Sequence, residues 1–174
     1  MVAIKRLSSH LASEPSYRAM FLDEAAVASS VSHTNVCRVF DHGCCDAGHP
    51  YLAMEYLCGE PLNRVGRALA AGKREQATLS DAARHDLIVR VLADVCVGLH
   101  ALHEARGVDG RPLDAVHRDV SPDNIFVCCD GTTKLMDLGV AKSKVRRQRT
   151  QTGMLKGKLA YLAPETLQEA VLDR

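Results

Sequence analysis

Apolar and polar positions alternate from Met1 to Leu7, and this two-residue period predicts a β-strand. In that strand Val2 and Ile4 face one side and Ala3 and Lys5 the other, so a small residue and a cation share a face. Taken alone, Lys5 also reads as a solvated edge charge. From Ser13, with Pro15 close behind, the pattern turns helical and predicts a helix to about Ser30. Met20, Glu24, Val27, Ala28 and Val31 fall on one stripe of it. A carboxylate therefore sits in the middle of the face to be buried, where it needs a partner.

Two further strands are predicted over Asn35 to Asp41 and Tyr51 to Leu57, joined by the turn-rich stretch DHGCCDAGHP as a hairpin. A short helix follows from Pro61 to about Gly72, then the charged linker KREQ. Ser80 opens a long helix to about Glu104, in which Leu87, Val91, Val95, Leu99 and Leu102 recur at helical period and form a core stripe. Gly98 inside this helix suggests a close helix approach, although in isolation it merely weakens the helix by about 1 kcal/mol relative to Ala. The turn-rich segment GVDGRPLDA then delivers the chain into VHRDVSPDNIFV.

Composition narrows the class. The chain has 174 residues, 47% of them apolar and 25% charged, which fits one soluble domain or a piece of one. A formal net charge of +1 gives no global pull toward nucleic acid or a membrane surface. The most apolar stretch, Leu87 to Leu102, is broken by Arg90 and Asp94 and does not read as a membrane span. Seven cysteines without a C-x-x-C pattern suit a reducing cytoplasm. His42, Cys44, Cys45 and His49 carry metal-type side chains, but adjacent cysteines rarely both reach one tetrahedral ion, so a hairpin turn is the expected reading.

The chemistry is concentrated in the polar loop before Ile125 and Phe126. Asp119 and Asn124 stand five positions apart, and Asp137 follows in LMDLGVAK, so three oxygen-bearing side chains are brought toward one site. In chain order the sequence offers VAIK ending at Lys5, Glu24 on the first large helix, His117-Arg118-Asp119 with Asn124, Asp137-Leu138-Gly139, and Ala163-Pro164-Glu165. This set resembles the protein kinase family, bacterial Ser/Thr protein kinases in particular.

The resemblance implies an α+β, bilobal, protein-kinase-like fold, with residues 1–57 as a partial upper lobe ending in the hinge and 58–174 as a partial lower lobe. It implies an upper lobe without its first two strands and their Gly-rich loop, and a lower lobe without its last helices. ATP and Mg2+ would be the cofactors and a protein the substrate. Lys5 would hold the α- and β-phosphates, kept in place by Glu24, and Asp119 would accept the substrate hydroxyl proton. Asn124 and Asp137 would ligate magnesium, for which hard oxygen ligands are suited. Ala3 and Phe126 would enclose the adenine ring, and backbone groups at Glu55 and Leu57, next to the gatekeeper position Met54, would bond its edge.

An arginine beside the catalytic aspartate, Arg118, resembles kinases whose phosphorylated activation loop is clamped there. The segment from Lys142 to Lys158 carries seven Lys or Arg and no acid. Its Thr150 and Thr152 read either as autophosphorylation sites or as part of a solvated basic loop. One departure bears on catalysis. Where Ser/Thr kinases usually place a lysine two positions after the aspartate, this chain has Ser121, and where they usually have Gly-Thr it has Gly157-Lys158. Lys158 is therefore expected to supply the charge missing at Ser121. Two functions follow: a Ser/Thr-type protein kinase, or a catalytically inert kinase-like remnant that binds a nucleotide or a partner.

Overall fold

The computed structural model describes residues 1–71, 79–138 and 161. The first sheet contains β1 (Val2–Arg6), β2 (Val39–Cys44) and β3 (Pro50–Glu55) in the order β1-β3-β2, all pairs antiparallel. Across β1 and β3, Ala3 stands opposite Met54 and Lys5 opposite Leu52. The cysteine-bearing stretch is a hairpin closed by Cys45 N–H to His49 O at 3.0 Å and Gly48 N–H to Cys45 O at 2.7 Å, with Gly48 at φ 76°. The strand expected over Asn35 to Asp41 starts later and runs further. Residues 35–37 are drawn instead to Leu135, whose amide donates to Asn35 O and whose carbonyl accepts from Cys37, both at 2.8 Å.

The helix expected from Ser13 is divided into α1 (Ser9–Ala12) and α2 (Pro15–Ser29). Ser13 closes α1, with its hydroxyl bonded back to Ser9 O, and Glu14 occupies the cap position of α2. Pro15 explains the break, because it lacks the amide a continuous helix needs yet fits a first turn. Ala25 and Ala28 are the buried residues of α2, and Glu24 lies half-buried beside them.

The second sheet is β4 (Gly59–Pro61), β5 (Ile125–Cys128) and β6 (Thr133–Leu135), in that order and antiparallel. The short β4, hidden in the sequence by its Gly and Pro, leads into α3 (Leu62–Ala70). The long helix α4 (Asp81–His103) is capped by Ser80, whose hydroxyl accepts from the Ala83 amide at 3.2 Å. Val91, Val95 and Leu102 are buried as the stripe predicts, each worth about 1.5–3 kcal/mol if wholly removed from water. Leu87 and Leu99 pack against the cluster that holds Val91 and Val95. Elsewhere on the helix Ile88, Val89, Leu92 and Val97 are exposed.

Gly98 is where α4 meets the rest of the fold. A Cβ there would stand 2.6 Å from Asn35 O and 3.1 Å from Leu135 Cδ1. Alanine would gain about 1 kcal/mol of helix propensity, whereas overpacking against a fixed backbone costs about 1–3 kcal/mol. The clash wins. Gly98→Ala is expected to lower Tm and the urea midpoint, and an unchanged or raised midpoint would show that α4 can move away at little expense.

Candidate active site

The polar loop after α4 is held by its own groups and by Met136, the residue after β6. His117 is buried at 1% exposure; its Nε2 lies 3.2 Å from Met136 O, and its Nδ1 accepts from the Asp119 amide at 3.3 Å. One imidazole thus links the residue before Asp137 to the backbone of Asp119. Asn124 donates through Nδ2 to both Asp119 O at 2.8 Å and Asp119 Oδ2 at 2.9 Å. Its backbone carbonyl accepts from Met136 N–H at 2.8 Å. With the amide nitrogen spent on Asp119, the side-chain oxygen of Asn124 is its remaining polar atom.

Asp119 and Asn124 are buried at 6% and 5% exposure, so their separation is fixed by packing as well as by hydrogen bonds. Two residues of the site take left-handed backbone conformations, Arg118 at φ 59° and Asp137 at φ 52°. For non-glycine residues each such conformation costs about 1–3 kcal/mol, and this kind of strain concentrates at functional sites. The turn at Asp137 sends its carboxylate toward β1, where Lys5 Nζ lies 2.5 Å from Asp137 Oδ1 and 3.9 Å from Glu24 Oε1. The burial of Glu24 required a partner, and Lys5 supplies it. The ammonium is shared, however, and sits closer to Asp137.

Behind this trio a small cavity is lined by Glu24, Cys37, Met54, Asp137 and Leu138, among others. Burial, helped by the nearby Glu55 carboxylate, pushes the Cys37 thiol up to about 12. On the hinge side, Glu55 N–H donates to Arg38 O at 2.9 Å, while its carboxylate accepts from Arg38 N–H at 2.7 Å and from Lys134 Nζ at 2.9 Å. Lys134 and Arg38 carry no family motif, and only this packing reveals their part. Ala3 and Leu57 are half-buried against the main core, and Phe126 pairs with Pro61 and Lys134 across the second sheet. Thr150, Thr152 and Lys158, like Gly139 and Ala163-Pro164-Glu165, lie outside the described residues.

The donor set, a carboxylate and an amide oxygen, fits a divalent cation, and the nearby ammonium suits the phosphate that would accompany it. Ser121 adds an orphaned polar atom beside them, since its hydroxyl is buried with no hydrogen-bond partner among the described residues.

A family model described as "Protein kinase domain" matches residues 1–174. Over 173 residues the chain is 39% identical to the tyrosine-protein kinase MasK of Myxococcus xanthus, covering 99% of this chain and 26% of that protein. It is 37% identical to the serine/threonine-protein kinase Pkn1 of the same species, over 94% of this chain and 21% of the relative. The crystal structure of the Mycobacterium tuberculosis PknI kinase domain superposes with a TM-score of 0.63 at 26% identity, covering 99% of this chain and 56% of that one. The chain belongs to the protein kinase family and has an α+β, partial kinase fold. It spans about a quarter of the length of the two curated relatives. Among the described residues no helix is long and apolar enough to cross a membrane.

Proposed function

We propose that this chain carries the catalytic centre of a Ser/Thr-type protein kinase that transfers the γ-phosphate of ATP to protein hydroxyls. The observation that carries the reading is that two side-chain groups drawn from four distant stretches are tied together through the backbone of Met136. Lys5 and Glu24 meet Asp137, and Asp137 is tied through Met136 to the Asn124 and Asp119 loop. In this reading Asn124 and Asp137 would hold Mg2+, which when bound would supply positive charge at the phosphates. Asp119 receives the substrate proton and Asn124 keeps its carboxylate aimed. Lys5 binds the α- and β-phosphates, while Ala3 and Phe126 flank the adenine and Glu55, through its carbonyl, and Leu57 bond its edge. Thr150 and Thr152 are autophosphorylated and drawn to Arg118.

Lys158 supplies the cation that the family pattern places at Ser121, whose buried hydroxyl has no hydrogen-bond partner among the described residues. The test is steady-state kinetics of the protein spanning the whole kinase domain, with radiolabelled ATP and a generic protein substrate. Wild type should label serine and threonine in the substrate and its own Thr150 or Thr152. Lys158→Ala should lower kcat by about a hundredfold, the scale for removing one preorganised electrostatic group, and Ser121→Lys should recover part of it. Phosphotyrosine alone would overturn the Ser/Thr assignment; no transfer at all would favour the inert nucleotide-binding remnant. A kcat for Lys158→Ala within about twofold of wild type would remove Lys158 from the mechanism.

A further inference from the structure

Immediately after the hinge, two exposed cysteines are brought together by the fold. Cys58 Sγ and Cys129 Sγ stand 3.2 Å apart, and Cys129 N–H donates to Cys58 O at 2.8 Å. The approach depends on Gly59, at φ 155°, where a Cβ would lie 2.1 Å from Val127 O and 2.7 Å from Cys128 Cα. Any other residue would push β4 away from β5 and separate the sulfurs. The far side is equally fixed. Cys129 begins a tight turn in which Gly131 N–H donates to Cys128 O, Cys128 N–H to Thr132 O, and Thr132 N–H to Asp130 Oδ1.

We propose that Cys58 and Cys129 form a reversible, peroxide-driven disulfide that staples the segment leaving the hinge to β5. A disulfide bond is about 2.05 Å long, so the sulfurs need to close by only about 1.1 Å, within reach of small side-chain rotations. Cys128 is not the partner the fold offers, because it ends β5 opposite Gly59 while the sulfur that meets Cys58 belongs to Cys129. In the first step the Cys58 thiolate attacks hydrogen peroxide; an S–O bond forms, the O–O bond breaks and hydroxide leaves, giving a sulfenic acid. Cys129 sulfur then attacks that sulfur, the S–O bond breaks, and the second oxygen departs as water with the thiol proton. The sum is two thiols and one peroxide to one disulfide and two waters. The hydrogen bond between the sulfurs raises the Cys129 thiol above its usual range, so the first oxidation is written at Cys58, and the balance is the same with the two exchanged. Cysteine pairs of this kind in a reducing compartment are characteristically redox-sensing rather than structural.

The experiment treats the protein with hydrogen peroxide, blocks remaining thiols with iodoacetamide, and maps peptides by mass spectrometry. One cross-linked peptide joining Cys58 to Cys129 is expected, lost on dithiothreitol treatment and absent in Cys58→Ser and in Cys129→Ser. Cys128→Ser should retain it, and Cys37 should stay unalkylated in the folded protein. Separately alkylated Cys58 and Cys129 after peroxide, a stable sulfinic acid at either, or equal cross-linking to Cys128 would each overturn the proposal. The readout needs no phosphoryl transfer, so its failure and the failure of the kinase reading are distinguishable.

Discussion

Asp119→Asn will lower kcat by about 10²–10⁴-fold in the protein spanning the whole kinase domain, the range for losing one positioned general base, with KM for ATP changing far less. The substitution is conservative in structure. Asn124 Nδ2 donates to Asp119 Oδ2 and to the Asp119 carbonyl, and an asparagine oxygen can take the place of Oδ2 in that contact. The His117 contact to the residue 119 amide is untouched, because it uses the backbone. What the substitution removes is the carboxylate's charge and, with it, the capacity to take a proton. Tm should therefore stay close to wild type while phosphate transfer collapses. If turnover survives within about tenfold, the proton leaves by another route and Asp119 only orients the substrate.

Much of this site was legible in the sequence because its residues lie in short, ordered motifs. Lys5 could be placed on a strand face by alternation, Glu24 on a buried helix stripe by the 3.6-residue period, and Ser80 and Gly98 by their cap and packing chemistry. What escaped has a common physical origin. The β4 strand has only three residues, two of them Gly and Pro, so no periodic signal exists. The late start of β2 follows from the isolated pairing of Val36 with Leu135, a tertiary contact between residues about a hundred positions apart that no local window contains. The contact of Glu55 with Lys134 and Arg38, and that of Cys58 with Cys129, likewise depend on which strands become neighbours. Residue type alone carried no hint of them.

Lys5→Met should reduce kcat by about 10²–10³-fold, the scale of a lost electrostatic group aimed at the transferring phosphoryl region. Glu24→Gln should do much less, about tenfold, and the difference comes from the distances. At 2.5 Å from Asp137 and 3.9 Å from Glu24, the ammonium has its stronger Coulombic contact with Asp137, because the attraction falls inversely with separation at equal screening. Glu24 is the more buried carboxylate, its side chain 16% exposed against 34% for Asp137, so it steadies the lysine from the core side as a positioning residue. Without it, Asp137 still holds Lys5 in the site. Without Lys5, two carboxylates from α2 and the loop after β6 face each other with their shared cation gone, and both phosphate binding and the aim of Asp137 suffer. Arginine should not rescue, since its planar fork cannot reproduce a compact ammonium between two carboxylates. The measurement is kcat and KM for ATP of Lys5→Met, Lys5→Arg and Glu24→Gln side by side. If Glu24→Gln proves as damaging as Lys5→Met, the helix glutamate, and not Asp137, is what places the lysine during turnover.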